Sequence, residues 1–321
     1  MLFSCSPHSN YHQRRLFCLD DTFLFSLSTA LAGSSGPAST PVTMADQLAS
    51  PPPETTFYEL SFPAPYVLLV TINREASMNA IPMAGHWEGE RLWQWFDDEP
   101  ALRVAIVTGK GRKAFSCGAD LKEQADKSSQ SMDKPLTPPF PPGAFMGLSR
   151  RVGKKPVIAA VNGYALGGGF EIALNCDMVV ASPTAQFGLP EAKRGLWAAA
   201  GGIPRVVRTF GMQKASEIVL AGRVLSAKEA MDLGFAKVSS SPDSLLDEAV
   251  HLAKQVADMS PDAIIVSRAG LRETWETASV ERAAQLIQDS YAKGLLGGEN
   301  VRIGLMAFVT KQKPEWVPSK L

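Results

Sequence analysis

The chain has 321 residues, 45% hydrophobic and 20% charged, which suits a soluble globular protein of one or two domains with a sizeable core. Lys+Arg and Asp+Glu balance at 32 each, so no overall field selects nucleic acid or an anionic membrane, and an anionic ligand must be met by a local cluster. No apolar run approaches the roughly 20 residues needed to span a bilayer, and the scattered cysteines (Cys5, Cys18, Cys117, Cys176) and histidines show neither metal-ligand spacing nor a disulfide framework.

Residues 1–53 are rich in Ser, Pro, Thr and Ala and carry no sustained period, so they are expected to form a disordered or mis-assigned extension. Arg14 and Arg15 precede FLFSLSTALAG, which resembles a secretory apolar segment, but Asp20 and Asp21 intervene. Met44 is an alternative start, because MADQLASPPPETTFYEL runs straight into the first strand. From there strands alternate with helices. YVLLVTIN (66–73) and VAIVTG (104–109) read as β-strands around a helical HWEGERLWQWFDD (86–98), and PVIAAVNG (156–163), MVVAS (178–182) and QFG (186–188) follow. This alternation predicts an α/β core over residues 54–250. Beyond Gly211 the pattern turns helical, with segments expected near 212–221, 226–233, 243–259, 261–274, 278–296 and 299–311. Residues 251–321 form a helical C-terminal region, whose last helix carries Val301, Leu305, Phe308 and Val309 at helical spacing and is expected to dock that apolar face. The polar, proline-rich stretch at 123–143 is too long for an ordinary connector and is expected to be a functional or mobile loop.

Two stretches share one grammar of strand, turn and helix start. In FSCGADLKE (115–123), Gly118 permits a turn and the small Ala119 leaves its amide open to a ligand. In GYALGGGFEIALNCD (163–177), Gly167, Gly168 and Gly169 lead into a short apolar helix. Two such turns can present two amides to one oxygen that becomes negative during a reaction. Glu171 follows in the first helical turn. It is either an acid that complements the helix dipole or a carboxylate held in the same pocket. Glu191 of FGLPEAKRG is either a second pocket acid or a solvated loop acid beside Lys193 and Arg194. Phosphate-binding, dinucleotide-binding and nucleophile-elbow motifs do not occur.

These stretches, with VLLVTINREASMNAI, KKPVIAAVNGYALGGGFEIALNCDMVVAS, AQFGLPEAKRGL, GGIPRVV and GLMAFVTKQKPEW in order from about Phe57 to Leu321, resemble the crotonase (enoyl-CoA hydratase/isomerase) superfamily, nearest to fungal peroxisomal enoyl-CoA hydratases. The resemblance implies a spiral of ββα units with a helical C-terminal trimerisation region, and a homotrimer or hexamer. It implies an enzyme that adds water across the double bond of a trans-2-enoyl-CoA, or runs the reverse dehydration, in fatty acid β-oxidation or a specialised-metabolite route. No cofactor is implied, since CoA is part of the acyl-CoA thioester substrate. Its motif assigns the oxyanion hole to the amides of Ala119 and Gly168, and catalysis to Glu171 as water-positioning base and Glu191 as acid. CoA contacts fall on Ala119, Asp120, Leu121 and Lys122, with adenine near Ala76 to Met78. Alternatives are an enoyl-CoA isomerase or a non-catalytic, RNA-binding or scaffold member; neutral charge and two retained acids argue against the latter. The chain departs from the family at LWAAAGG (196–202), where a proline and a glycine are common.

The final Ser319, Lys320 and Leu321 form a peroxisomal address, which predicts recognition by the import receptor and a peroxisomal location, without a nucleic-acid or membrane partner.

Overall fold

The computed structural model describes residues 44–123, 125 and 140–321. The leader up to residue 43 and most of the 123–143 loop, for which sequence expectations were stated, lie outside the described residues. Strands Tyr58–Ala64 (β1) and Val67–Ile72 (β2) form a hairpin, and helix Met83–Asp98 (α1) follows. Next come Val104–Gly109 (β3), Ala114–Ser116 (β4), Val157–Val161 (β5), Tyr164–Leu166 (β6), helix Gly168–Asn175 (α2), Met178–Ala181 (β7) and Gln186–Gly188 (β8). Helix Gly202–Leu220 (α3), Val224–Ser226 (β9), helix Ala227–Asp232 (α4) and Lys237–Val238 (β10) complete the core.

One sheet runs β1-β2-β3-β5-β7-β10, parallel from β2 onward, and a smaller one runs β4-β6-β8-β9. Successive units therefore place one strand in each sheet and then a helix, which is the expected ββα spiral. Continuous apolar runs in β2, β3 and β5 follow from a sheet covered on both faces. Alternate residues Leu68, Val70, Ala105, Val107 and Ala159 meet α1, α2 and the small sheet, whereas Val67, Leu69, Val104, Ile106 and Ile158 meet Leu245–Ala257 (α5). Helix α5 lies close because Ala249, Ala253 and Ala257 recur every fourth residue on its buried side.

The segment before the predicted core is tied down. Ala49 and Ser50 donate their backbone N–H groups to the carboxylate of buried Glu99, and Trp95 bonds back to Ser50. Two of the expected helices differ in detail, and one expectation needs correction. The helix expected near 212–221 is present as the second part of α3, after a break at Gly211 (φ 77°, ψ 163°); what the pattern did not show is the first part, which follows Gly201 at φ 103° and carries Pro204 in its first turn. The helix expected over 278–296 is present as one continuous helical run, Val280–Ile287 (α7) and Lys293–Gly297 (α8), joined through a π-helical turn at Gln288–Ala292. The last helix, Glu299–Thr310 (α9), does not dock its apolar stripe within the chain: Leu305, Phe308 and Val309 are exposed, Phe308 at 84%. Its inward side is instead Asn300 and Gly304. Asn300 bonds to Asp262 of helix Pro261–Thr277 (α6) and to Val317, while Trp316 of the returning tail lies on Gly304. The tail is held further by Ser319 on Asp262 and by Lys154 on the Leu321 carbonyl, with Lys320 left exposed.

Candidate active site

The two glycine turns meet. Ile81 N–H donates to Gly118 O and Asp120 N–H to Ile81 O, in a parallel bridge, so the intervening Ala119 turns its own N–H to the opposite side. A Cβ added to Gly118, at φ 91°, would lie 3.2 Å from Gly168 N, so the Gly118–Ala119 backbone runs directly beside the start of α2. Gly168 N–H belongs to the first turn of α2 and has no intrahelical acceptor. The backbone of residues 118–119 and 167–168 thus brings two free amides together, as an oxyanion requires.

Around Ala119 the chain is braced by buried polar contacts. Asn79 Nδ2 donates to the carbonyls of Lys110 and Ala114, and Ser116 Oγ donates to Asn79 O. Asp120 accepts from Arg74 at 2.9 Å and from the Lys122 and Glu123 amides. Burial raises its carboxyl pKa, but the Arg74 hydrogen bond and charge, with the two amides, outweigh it and hold the group below the usual range. The Asp120 carboxylate is therefore spent on the turn, while Leu121 and Lys122 are exposed beside it. Ala76–Met78 sits in a turn joined to Cys117 N–H through Met78 O.

Both acids come to this point. Glu171, 3% exposed, stands on the fourth residue of α2. Its Oε1 accepts the Gly202 N–H at 2.8 Å. Burial pushes its pKa up to about 7, the Gly202 bond pulls down, and the Glu191 charge pushes up again. Glu191 follows β8 in a short 3-10 turn, and its carboxylate lies 3.2 Å from the position a Cβ would take on Gly167. Among the described residues its Oε2 is the side-chain polar atom that is shut away from solvent without a hydrogen-bond partner, and burial raises its pKa as well. Glu171 is thus buried and Glu191 half-buried with its carboxylate against Gly167.

The loop at 196–202, where the chain departs from the family pattern, reaches Glu171 through Gly202. A Cβ at Gly202 would fall 2.8 Å from Glu171 Cγ, so only glycine lets this amide approach the acid. On the far side of the same peptide unit, Gly201 O accepts from Arg205 at 3.2 Å, and Arg205 is aligned by Asn175 Oδ1 at 3.0 Å. Ser149 Oγ donates to Ala200 O at 2.8 Å and accepts Phe145 N–H, linking this loop to residues 145–149. Doubled glycine before IPR was the one visible signal, and it points to a turn without naming Glu171 as the group it serves. Chemically, two carboxylates of raised pKa beside two free amides can move protons on either side of an enolate. Among the described residues no group of His, Cys, Asp and Glu could hold a metal ion.

Comparison with known proteins agrees with this geometry. Residues 65–318 match the family model for enoyl-CoA hydratase/isomerase. The chain is 48% identical over 262 residues, 82% of its length and 95% of the relative, to the mevalonyl-coenzyme A hydratase sidH of Aspergillus fumigatus. It is 39% identical to the carnitinyl-CoA dehydratase of Escherichia coli strain K12, over 78% of this chain and 94% of that one. The crystal structure of an enoyl-CoA hydratase from Bacillus anthracis superposes with a TM-score of 0.72 at 28% identity, covering 82% of this chain and 99% of that chain.

Proposed function

Since the chain belongs to the enoyl-CoA hydratase/isomerase family and is an acyl-CoA hydro-lyase, we propose that its own substrate pair is mevalonyl-CoA and the branched, hydroxylated enoyl-CoA left when water is removed. The identity to two fungal mevalonyl-coenzyme A hydratases, 48% and 46%, supports this acyl group. In the hydration direction, Glu171 takes a proton from water as its oxygen bonds to C3. The electron pair of the double bond moves onto the thioester oxygen, which the Ala119 and Gly168 amides hold as an enolate. Glu191 then delivers a proton to C2. Dehydration reverses each step: Glu191 takes the C2 proton, and the C3 hydroxyl leaves as water with the proton from Glu171.

The observation that carries this assignment is the buried, unpartnered Oε2 of Glu191, a residue whose Oε1 lies against Gly167 and whose charge raises the Glu171 pKa. One proton shared by the pair puts a base and an acid in place at once. Asp120, Leu121, Lys122 and the Ala76–Met78 turn flank this point and are assigned to the CoA portion. Turnover is read as the absorbance of the conjugated enoyl thioester. Activity on crotonyl-CoA and on mevalonyl-CoA, with higher kcat/KM for the latter, is expected; activity on crotonyl-CoA alone would remove the branched substrate.

The same reading includes a homotrimer or hexamer, supported by the exposed Leu305, Phe308 and Val309, and light scattering measures it. It also includes peroxisomal import through Ser319, Lys320 and Leu321, supported by the tripeptide itself. A fluorescent fusion that loses its punctate location when the tripeptide is deleted is the expected result.

A further inference from the structure

Arg205 stands in the first turn of α3, and the chemistry above assigns it no part. Its side chain is 11% exposed. Nη1 donates to Gly201 O at 3.2 Å, and the other side of that same peptide unit, Gly202 N–H, donates to Glu171 Oε1 at 2.8 Å. A cation on the carbonyl of a peptide polarises it and strengthens its N–H as a donor. Carboxylate, peptide and guanidinium thus form one chain of hydrogen bonds, and its far end carries a fixed positive charge.

That far end is itself held in place. Arg205 Nε donates to Asn175 Oδ1 at 3.0 Å. The Asn175 amide has no freedom to turn, because its Nδ2 donates to Leu148 O and Arg151 O while Oδ1 also accepts from Arg272 Nη1. Asn175 is the last residue of α2 and Glu171 lies one turn before it, so a single arginine ties both ends of that turn to the start of α3. The surrounding charges leave Arg205 a pull to spare. Glu276 of α6 approaches it only to 3.9 Å, beyond a good hydrogen bond. Burial draws the Arg205 pKa down, Glu276 draws it up, Arg272 and Arg150 draw it down again, and Glu171 adds an upward pull of its own. Around Glu171 the charged groups are Glu191 after β8, which disfavours its ionised form, and Arg205 of α3, which favours it.

We propose that Arg205 is a positioning residue for the reaction: it clamps the Gly201–Gly202 peptide against Glu171 and favours the carboxylate form that takes a proton from water. This rests on Glu171 as the base argued above and names what keeps it ready. Burial draws the proton shared by the two acids onto the more deeply buried one, Glu171. Arg205 opposes this and moves the proton toward Glu191, where water addition needs it.

The test follows kcat/KM against pH for wild type, Arg205→Gln and Arg205→Lys, with a melting curve for each, on whichever of crotonyl-CoA and mevalonyl-CoA the wild type turns over faster. In Arg205→Gln the acidic limb is expected to move up by about one pH unit, the low end for loss of an opposite charge, so that turnover near pH 6 falls about tenfold while the plateau at higher pH falls less. Arg205→Lys keeps the charge and should keep the limb. An equal loss at every pH in Arg205→Gln, or a limb that moves as far in Arg205→Lys, would show that the arginine only packs the loop and would overturn the inference. If Arg205→Gln melts below the assay temperature, the exposed Glu276 carries the test. Glu276→Gln leaves the Arg205 charge more of its pull on Glu171, so the limb should move to lower pH, and an unmoved limb overturns the inference. Failure of the underlying reading looks different, since Glu171→Gln would then turn over substrate like wild type.

Discussion

Carboxylates at opposite ends of α2, Asp177 at one and the Glu171–Glu191 pair at the other, show what the fold does with acids in each place. After its C-terminus Asp177 accepts from Arg268 Nε at 3.0 Å, from Arg272 Nη2 at 2.8 Å and from Val157 N–H at 2.8 Å. Burial raises the Asp177 pKa, but Arg268 and Arg272 outweigh it and the group is held below its usual range. At the N-terminal end, Glu171 is held by backbone donors from the Ala200–Gly202 loop, chiefly Gly202, and among the described residues no cation bonds to its carboxylate in the way Arg268 bonds to Asp177. Glu191 has an oxygen with no partner. Arg205 approaches but bonds to Asn175 and Gly201 O, and its attraction ranks below burial and the Glu191 charge. A compensated carboxylate stays ionised and locks the helix to α6. An under-compensated pair stays near its proton and can exchange it.

The largest expected effect tests the reactive end. Glu191→Gln and Glu171→Gln should each lower kcat by about 10²–10⁴-fold, the usual contribution of a positioned acid or base, without destabilising the fold; wild-type turnover in either variant would break the comparison. At the compensated end, Asp177→Asn should cost about 3–5 kcal/mol of stability, because Arg268 and Arg272 lose their buried partner. Activity per folded molecule should persist, and a kcat collapse without destabilisation would show that the two clusters are not separable in this way.

Gly202→Ala sharpens the comparison at the chief backbone donor to Glu171. The new Cβ would lie 2.8 Å from Glu171 Cγ, and a displaced catalytic acid costs roughly 10²-fold in rate. Substrate affinity, read by competition with a non-reactive thioester, should change less.

The smallest effect is in pH dependence. The Glu171 carboxyl is raised in the fold, from 4.5 to about 7, so folding favours its protonated form. Its stabilising contribution is full below about 4.5 and is lost as pH rises through about 7. Glu171→Gln should therefore stabilise the protein at pH 8, by something on the order of 2 kcal/mol, and leave it unchanged near pH 4. Asp177 behaves with the opposite sign: its depressed pKa gives stability present above the unfolded value and lost as pH falls through the lower folded one. Calorimetric melts across this range, on wild type, Glu171→Gln and Asp177→Asn, measure both signs together. Hydration should also lose rate as pH falls below about 7, where Glu171 takes up its proton.

Much of this was legible in the chain itself. Apolar runs at 67–72, 104–109 and 157–161 carry the signal of a parallel sheet buried on both faces, since such strands are apolar at every position. Glycine turns at 118 and 167–169 mark where backbone amides can be exposed, and the order of motifs with Glu171 and Glu191 was enough to recognise the family. Short strands β4, β6 and β9 escaped, because three residues are too few to show a period and, unlike QFG, they lie inside turn and helix-start motifs or after a long helix. The docked face of α9 was misjudged for a related reason: periodicity finds an apolar stripe but cannot say whether its partner lies in the same chain. Glu191 shows the boundary most clearly. Beside Lys193 and Arg194 it reads locally as a solvated loop acid, and only the packing of β8 next to β6 brings it against Gly167. Gly202 and Arg205 were likewise beyond local reading. What a peptide N–H or a guanidinium group can reach depends on contacts across 31 and 30 residues of chain, which no spacing rule encodes. Sequence determined the elements and the chemistry on offer; tertiary structure decided which acids were left under-compensated, because burial and distance set the charge balance.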